Sequence, residues 1–257
     1  QSLDIAGEET EFSAGGFPRV IAKINERTAE LDNVLKLHAG DAMTGTLYFT
    51  SFEGEADAEL MNQVCFDAFA LGNHEFDRGD EGLVKFLDYL AAGSCNTAVL
   101  AANVKPAIGT PLAPVAQDDY IQPYTIKNID GQQVAIIGID IANKTRNSSS
   151  PLASTEFLDE TETAQAMIDE LNDQGIDKII LLTHYQYAND LALAERLSGV
   201  DVIIGGDSHT LLGNFDAYGL SASGPYPTEV TNADGDKVCV AQAWQYSRVL
   251  GELSVTW

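Results

Sequence analysis

Apolar positions recur along the chain in two alternating rhythms. Over residues 18–31, Val20, Ile21, Ile24 and Leu31 share one helical face, with Pro18 in the first turn, where its missing N–H is harmless. Val34-Leu35-Lys36-Leu37-His38-Ala39 is short and apolar and stops at Gly40-Asp41, which predicts a buried strand running into a loop. The pattern repeats as a helix over 55–63, a strand over 66–71, a polar motif, a helix over 82–92 and a strand over 99–102. Later come a helix over 160–174 closed by Gly175, a strand over 178–183 ending at His184, a helix over 189–197 and a strand over 200–204. Residues 121–126 and 133–139 flank Asp130-Gly131 and predict an antiparallel hairpin, as do 238–243 and 249–255 around Tyr246-Ser247. Residues 1–16 and 143–154 show no period and read as loops. Alternating strands and helices argue for an α/β architecture with a mixed sheet, and without a repeat or linker residues 1–257 form one domain.

Composition narrows the function. With 257 residues, 45% of them apolar, the chain can bury one large core or two modest ones. A formal net charge of −25, spread along the sequence, repels phosphate backbones and anionic lipid surfaces, so nucleic-acid polymers and membranes are poor partners. No stretch approaches the roughly 18 apolar residues of a membrane span, and no basic start precedes an apolar region. If so acidic a protein handles anionic phosphates, it needs concentrated local positive charge, which metal ions can supply. Cys65, Cys95 and Cys239 are odd in number and lack CxxC spacing, so they define neither a disulfide framework nor a zinc knuckle; Cys65 and Cys239 read as buried fillers.

Four apolar strands end directly in glycine or a polar ligand type: at Gly40-Asp41, Gly72-Asn73-His74, Thr183-His184 and Gly205-Gly206-Asp207-Ser208-His209. In open α/β sheets the carboxyl ends of strands are where ligands gather, so these tips can converge on one crevice. Three of the four histidines stand there; His38 lies one side-chain step short of its tip and reads as structural. Carboxylate, imidazole and carboxamide oxygen form a donor set for Zn, Mn, Co or Mg, whereas a thiolate site would need cysteines at the tips.

The strings Ala39-Gly40-Asp41, Ala70-Leu71-Gly72-Asn73-His74-Glu75-Phe76-Asp77, Leu182-Thr183-His184 and Gly205-Gly206-Asp207-Ser208-His209-Thr210 resemble those of the calcineurin-like metallophosphoesterases, within them the bacterial 5'-nucleotidase and UDP-sugar hydrolase group. The resemblance covers nearly the whole chain. It implies a four-layer αββα sandwich of two mixed sheets between helices, two divalent ions, and hydrolysis of phosphate esters. The expected substrate is a small nucleotide, a 5'-nucleotide first and the pyrophosphate bond of NAD or a UDP-sugar next. A sulfur-ester hydrolase of thiosulfate type and a non-catalytic metal-binding scaffold are the alternatives. By the same resemblance Asp41 bridges both metals, Asn73, His184 and Asp207 hold the second, and His209 belongs to the first. His74 is the catalytic imidazole, kept protonated by Asp77, so that its charge meets the negative charge growing on the phosphoryl oxygens and leaving group. Relatives work outside the cytoplasm, which implies a periplasmic or extracellular location.

Two departures from the family pattern stand out. Many relatives have His where Asp207 stands; the carboxylate makes the site harder and more negative, favouring Mn or Mg. The string Gly-Asp-Ser-His is also similar to that of the NAD nucleotidase branch. The second departure is that no Asp-x-His string, whose side chains bind the first metal in the family, precedes Asp41. Either the chain is a fragment beginning after that strand and ending before a C-terminal nucleotide-binding domain, or the first metal site lacks its ligands; Gln1 and the stop at Trp257 favour the fragment.

Overall fold

The computed structural model describes residues 2–5, 8–11, 15–45 and 47–257, the first two stretches by their backbone alone. In chain order the elements are β1 (Ser2–Ile5), β2 (Glu8–Glu11), α1 (Phe17–Glu30), β3 (Leu37–His38), α2 (Leu47–Phe52), α3 (Glu55–Val64), β4 (Ala68–Ala70), α4 (Gly79–Ala91), β5 (Ala98–Leu100), β6 (Val104–Pro106), β7 (Tyr124–Ile129), β8 (Gln132–Asp140), α5 (Ala142–Ser148), β9 (Thr155–Phe157), α6 (Glu160–Asp173), β10 (Lys178–His184), α7 (Tyr187–Arg196), β11 (Val202–Gly205), β12 (Thr228–Thr231) and β13 (Lys237–Gln242).

A six-stranded mixed sheet runs β12-β13-β11-β10-β8-β7, with β8, β10, β11 and β13 parallel and the two edge strands antiparallel. A parallel sheet, β3-β4-β5, lies against β8 and β10. Strand periodicity explains this stacking. On β10, Ile180 and Leu182 face inward with Val134, Ile136, Val202, Ala68, Ala70 and Leu100, forming the core between the sheets. Ile179 and Leu181 face the other way, onto Ile168 and Leu171 of α6 and Leu193 of α7. Phe69 of β4 likewise points outward, into a cluster with Met61 of α3 and Phe86 of α4. The result is the αββα sandwich, and each fully buried Ile or Leu contributes about 1.5–3 kcal/mol. The sheets come close together at Gly138, where a Cβ would fall 2.4 Å from the Leu100 main chain; Ala102 N–H bonds to the Gly138 carbonyl at 2.7 Å.

The structure corrects four expectations. Residues 2–5 and 8–11 pair as an antiparallel hairpin where a loop was expected; the rest of that expected loop before Gly15 lies outside the described residues. The expected loop over 143–154 contains α5. Its sequence has no apolar period because its polar side chains bond back one turn: Thr145 Oγ1 to the Ile141 carbonyl, Asn147 Nδ2 to that of Asn143 and Ser148 Oγ to that of Lys144. The partner of β13 is β12, on its N-terminal side, and residues 249–255 form no strand. Positive φ at Trp244, Tyr246 and Ser247 turns the backbone off the sheet there. Finally, Cys65 is no filler: it forms a disulfide with Cys95, across a Cα–Cα distance of 5.2 Å. Among the described residues no helix is long and apolar enough to cross a membrane.

Candidate metal centre and active site

His184 closes β10 on the same side as Ile180 and Leu182, so the strand's alternation aims it at the other sheet. Its Nδ1 donates to the Ala39 carbonyl at 2.7 Å, which leaves Nε2 as an acceptor. That nitrogen lies 3.1 Å from Asp41 Oδ2 and 3.5 Å from Asp207 Oδ1, with hydrogen-bonding geometry to neither. The three donor atoms lie within 4.8 Å of one another and are the one His/Cys/Asp/Glu group among the described residues able to hold a metal ion. Burial opposes charge on the imidazole, but the two carboxylates outweigh it and raise its pKa well above the ordinary value. The spot therefore favours positive charge, as a proton on Nε2 or as a cation that takes the proton's place.

Asp41 follows β3 with φ of 55°, a conformation that costs a non-glycine residue about 1–3 kcal/mol. Glu75 holds it there. The fully buried Glu75 carboxylate accepts from Asp41 N at 2.9 Å, Gly72 N at 2.6 Å and Ala42 N at 2.7 Å, clamping the two motif loops together. Burial and the Asp41 charge push Glu75 up to about 7, while the backbone N–H groups favour its ionised form. His74 N–H donates to Asp41 Oδ1 at 3.0 Å. Beside it Asn73 is buried, and neither atom of its amide has a hydrogen-bond partner.

His74 itself is half exposed. Its Nδ1 meets Asp77 Oδ2 at 2.7 Å, and Asp77 Oδ1 accepts from Ser149 at 3.0 Å. Burial works against the imidazolium, but the Asp77 hydrogen bond and the Asp41 charge outweigh it and raise the pKa. On the far side of the crevice, Asp207 Oδ1 is ion-paired with Lys144 of α5 and Oδ2 accepts from Gln186 at 2.7 Å. Burial opposes ionisation of Asp207, but His184, Lys144 and Gln186 hold its pKa below the usual carboxylate range. His209 is not in this group. It is exposed and packs edge-on to Tyr246, with ring centroids 5.1 Å apart.

The strand tips thus bring Asp41, His184 and Asp207 into one group and pair His74 with Asp77, and they leave His209 to one side. Neither Glu75 nor Lys144 was picked out from the sequence. The buried Glu75 reads as part of a motif, and Lys144 lay in an expected loop.

The family model described as Calcineurin-like phosphoesterase matches residues 13–211. The chain belongs to this family. Like other calcineurin-like phosphoesterases it carries donor residues for a divalent metal. It is 46% identical to the NAD 5'-nucleotidase of Haemophilus influenzae over 255 residues, 98% of this chain and 41% of that protein. It is 42% identical over 255 residues to a probable 5'-nucleotidase of Treponema pallidum, covering 98% and 41%. The structure of the Haemophilus influenzae NAD nucleotidase superposes with a TM-score of 0.90 at 44% identity, over 96% of this chain and 47% of that one. This calcineurin-like phosphoesterase chain therefore spans less than half the length of these relatives.

Proposed function

We propose that this chain carries the catalytic centre of a metal-dependent phosphoric ester hydrolase acting on nucleotides. The observation that carries the reading is the meeting of Asp41, His184 and Asp207 beside the His74–Asp77 pair. The unpartnered Nε2 of His184 and amide of Asn73 fit a metal, because buried polar atoms without partners cost free energy unless a ligand satisfies them. Asp41, Asn73, His184 and Asp207 would hold one divalent ion; a second would draw on Asp41 and His209. Bound there, such ions supply Lewis acidity toward a phosphoryl oxygen and lower the pKa of a water.

The chain's own residues do the rest. Asp77 orients the His74 ring and favours its protonated form, and Ser149 fixes Asp77 in turn. A charged His74 beside Asp41 stabilises negative charge on the phosphoryl group and can pass its Nε2 proton to the leaving oxygen. The carboxylate at Asp207 favours Mn or Mg over softer ions. Likeness to proteins named NAD 5'-nucleotidase and 5'-nucleotidase supports 5'-nucleotides and NAD as substrates. The Cys65–Cys95 disulfide supports a periplasmic or extracellular location, since such bonds persist where thiols are not kept reduced.

The test is His74→Asn in the protein loaded with Mn2+. Turnover of AMP and NAD is expected to fall by roughly 10²–10⁴-fold while metal content stays at the wild-type level. Undiminished turnover of both would overturn the role of His74. Preferred cleavage of a thiosulfate ester over either nucleotide would overturn the substrate class.

A further inference from the structure

Carboxyl groups crowd around His184. Asp41 and Asp207 face it directly, and Glu75, which holds Asp41 N, Asp140, opposite His184 on the next strand, and Asp190, bonded to Thr183, lie fully buried behind them. Lys144 brings an ammonium to the two that face His184. Its Nζ pairs with Asp207 Oδ1, the oxygen that also faces His184 Nε2. The two partners differ in exposure: the Asp207 side chain is 1% exposed and that of Lys144 is 37%. The ammonium therefore touches a buried ligand atom from a position open to solvent.

The helix carrying Lys144 is firmly seated. Thr145 donates to Asp140 Oδ2 at 2.7 Å, Ala142 N–H bonds to Glu160 Oε1 at 2.8 Å, and Ser149, just past the helix, reaches Asp77. One short element thus contacts both the metal-ligand carboxylate and the carboxylate that holds His74. Gln186 grips the other oxygen of Asp207, so the carboxylate keeps an anchor without Lys144.

We propose that Lys144 is a specificity-determining residue of this site, an ammonium that offsets the extra charge of Asp207 and binds the phosphate of the substrate. The inference rests on the reading of Asp41, His184 and Asp207 as metal ligands. A positive charge beside a divalent ion repels it, and the same charge attracts a phosphate dianion entering from solvent. A lysine suits this role because its flexible stem lets a point charge move between Asp207 and an incoming anion. Lys144 therefore acts on the two ligands with opposite signs. A lysine that merely tied α5 to the loop after β11 would support both.

Calorimetric titration of Mn2+, then of inorganic phosphate into the Mn2+-loaded protein, separates these roles. Lys144→Gln keeps an N–H donor for Asp207 without the charge, and Lys144→Arg keeps the charge. Lys144→Gln is expected to bind Mn2+ roughly tenfold more tightly and phosphate roughly tenfold more weakly, with Lys144→Arg near wild type in both. Should Lys144→Gln fail to fold, Lys144→Met carries the same expectation. Weaker Mn2+ binding together with weaker phosphate binding, or unchanged phosphate binding, would overturn the proposal while the metal site stands. A wild-type protein that binds no Mn2+ would overturn the metal reading and the proposal with it.

Discussion

His184 and Ala39 are joined by a 2.7 Å hydrogen bond from the imidazole Nδ1 to the main-chain carbonyl, linking the end of β10 to the segment that follows β3. The bond selects the ring tautomer and aims Nε2 at Asp41 and Asp207. Gly206 makes room for it. A Cβ at that position would lie 2.4 Å from the Ala39 carbonyl oxygen and 2.8 Å from His184 Nδ1. Gly206→Ala is therefore expected to displace the bond and weaken Mn2+ binding by roughly 10–100-fold. Calorimetric titration checks this, and an unchanged affinity would refute the orienting role.

The pair of His74 and Asp77 sets a pH dependence. The His74 pKa is raised, because Asp77 and Asp41 outweigh burial. Activity that needs the imidazolium is full below that pKa and falls as pH rises through it. Asp77→Asn removes the hydrogen bond to a carboxylate, so the alkaline limb of the kcat profile is expected to move to lower pH. A limb that stays in place would mean that another group titrates.

Asp190 is fully buried and accepts from Thr183 Oγ1 at 2.7 Å, while its second oxygen has no partner. Burial pushes its pKa from 3.8 up to about 7. Between those values the folded chain holds a proton that the unfolded chain has released, so this group lowers stability as pH rises through the window. Asp190→Asn keeps an acceptor for Thr183 and removes the titration. In a chelator at about pH 8 the variant is expected to be more stable by on the order of 2–4 kcal/mol, with the difference vanishing near pH 4. Urea unfolding at the two pH values measures it, and equal stability at both would refute it.

The Cys65–Cys95 bond joins residues 30 apart, at the end of α3 and before β5. Closing a loop of that size stabilises the fold by about 3.6 kcal/mol in the chain-entropy account. Thermal unfolding with and without reductant should show a lower Tm for the reduced protein. Coincident transitions would exclude a bridging role.

Much of the architecture was legible because strands such as β8 and β10 are buried on both faces and read as continuous apolar runs. The strand tips at Asp41, His184 and Asp207 stood out for the same reason, each a polar residue at the end of such a run. Other features leave no linear trace. In α5 the helix signal is carried by hydroxyl and amide groups bonding to their own backbone, which looks like a loop. β12 is only four residues long, and Val249, Gly251, Leu253 and Val255 offered a better-looking alternation beside it. The disulfide follows from the packing of α3 against α4, which cysteine spacing does not encode. Lys144 matters through a partner 63 residues away, and Glu75 through Asp41, 34 residues away, as well as through nearby Gly72.

Asp41 and Asn73 hang from the small sheet, His184 and Asp207 from the large one. Any ion held among them would pin the two sheets to each other at the tips of their strands, beyond the apolar core that joins them. Binding of the ion and closure of the layers would then favour each other, so a loaded site resists unfolding and an unfolding chain lets its ion go.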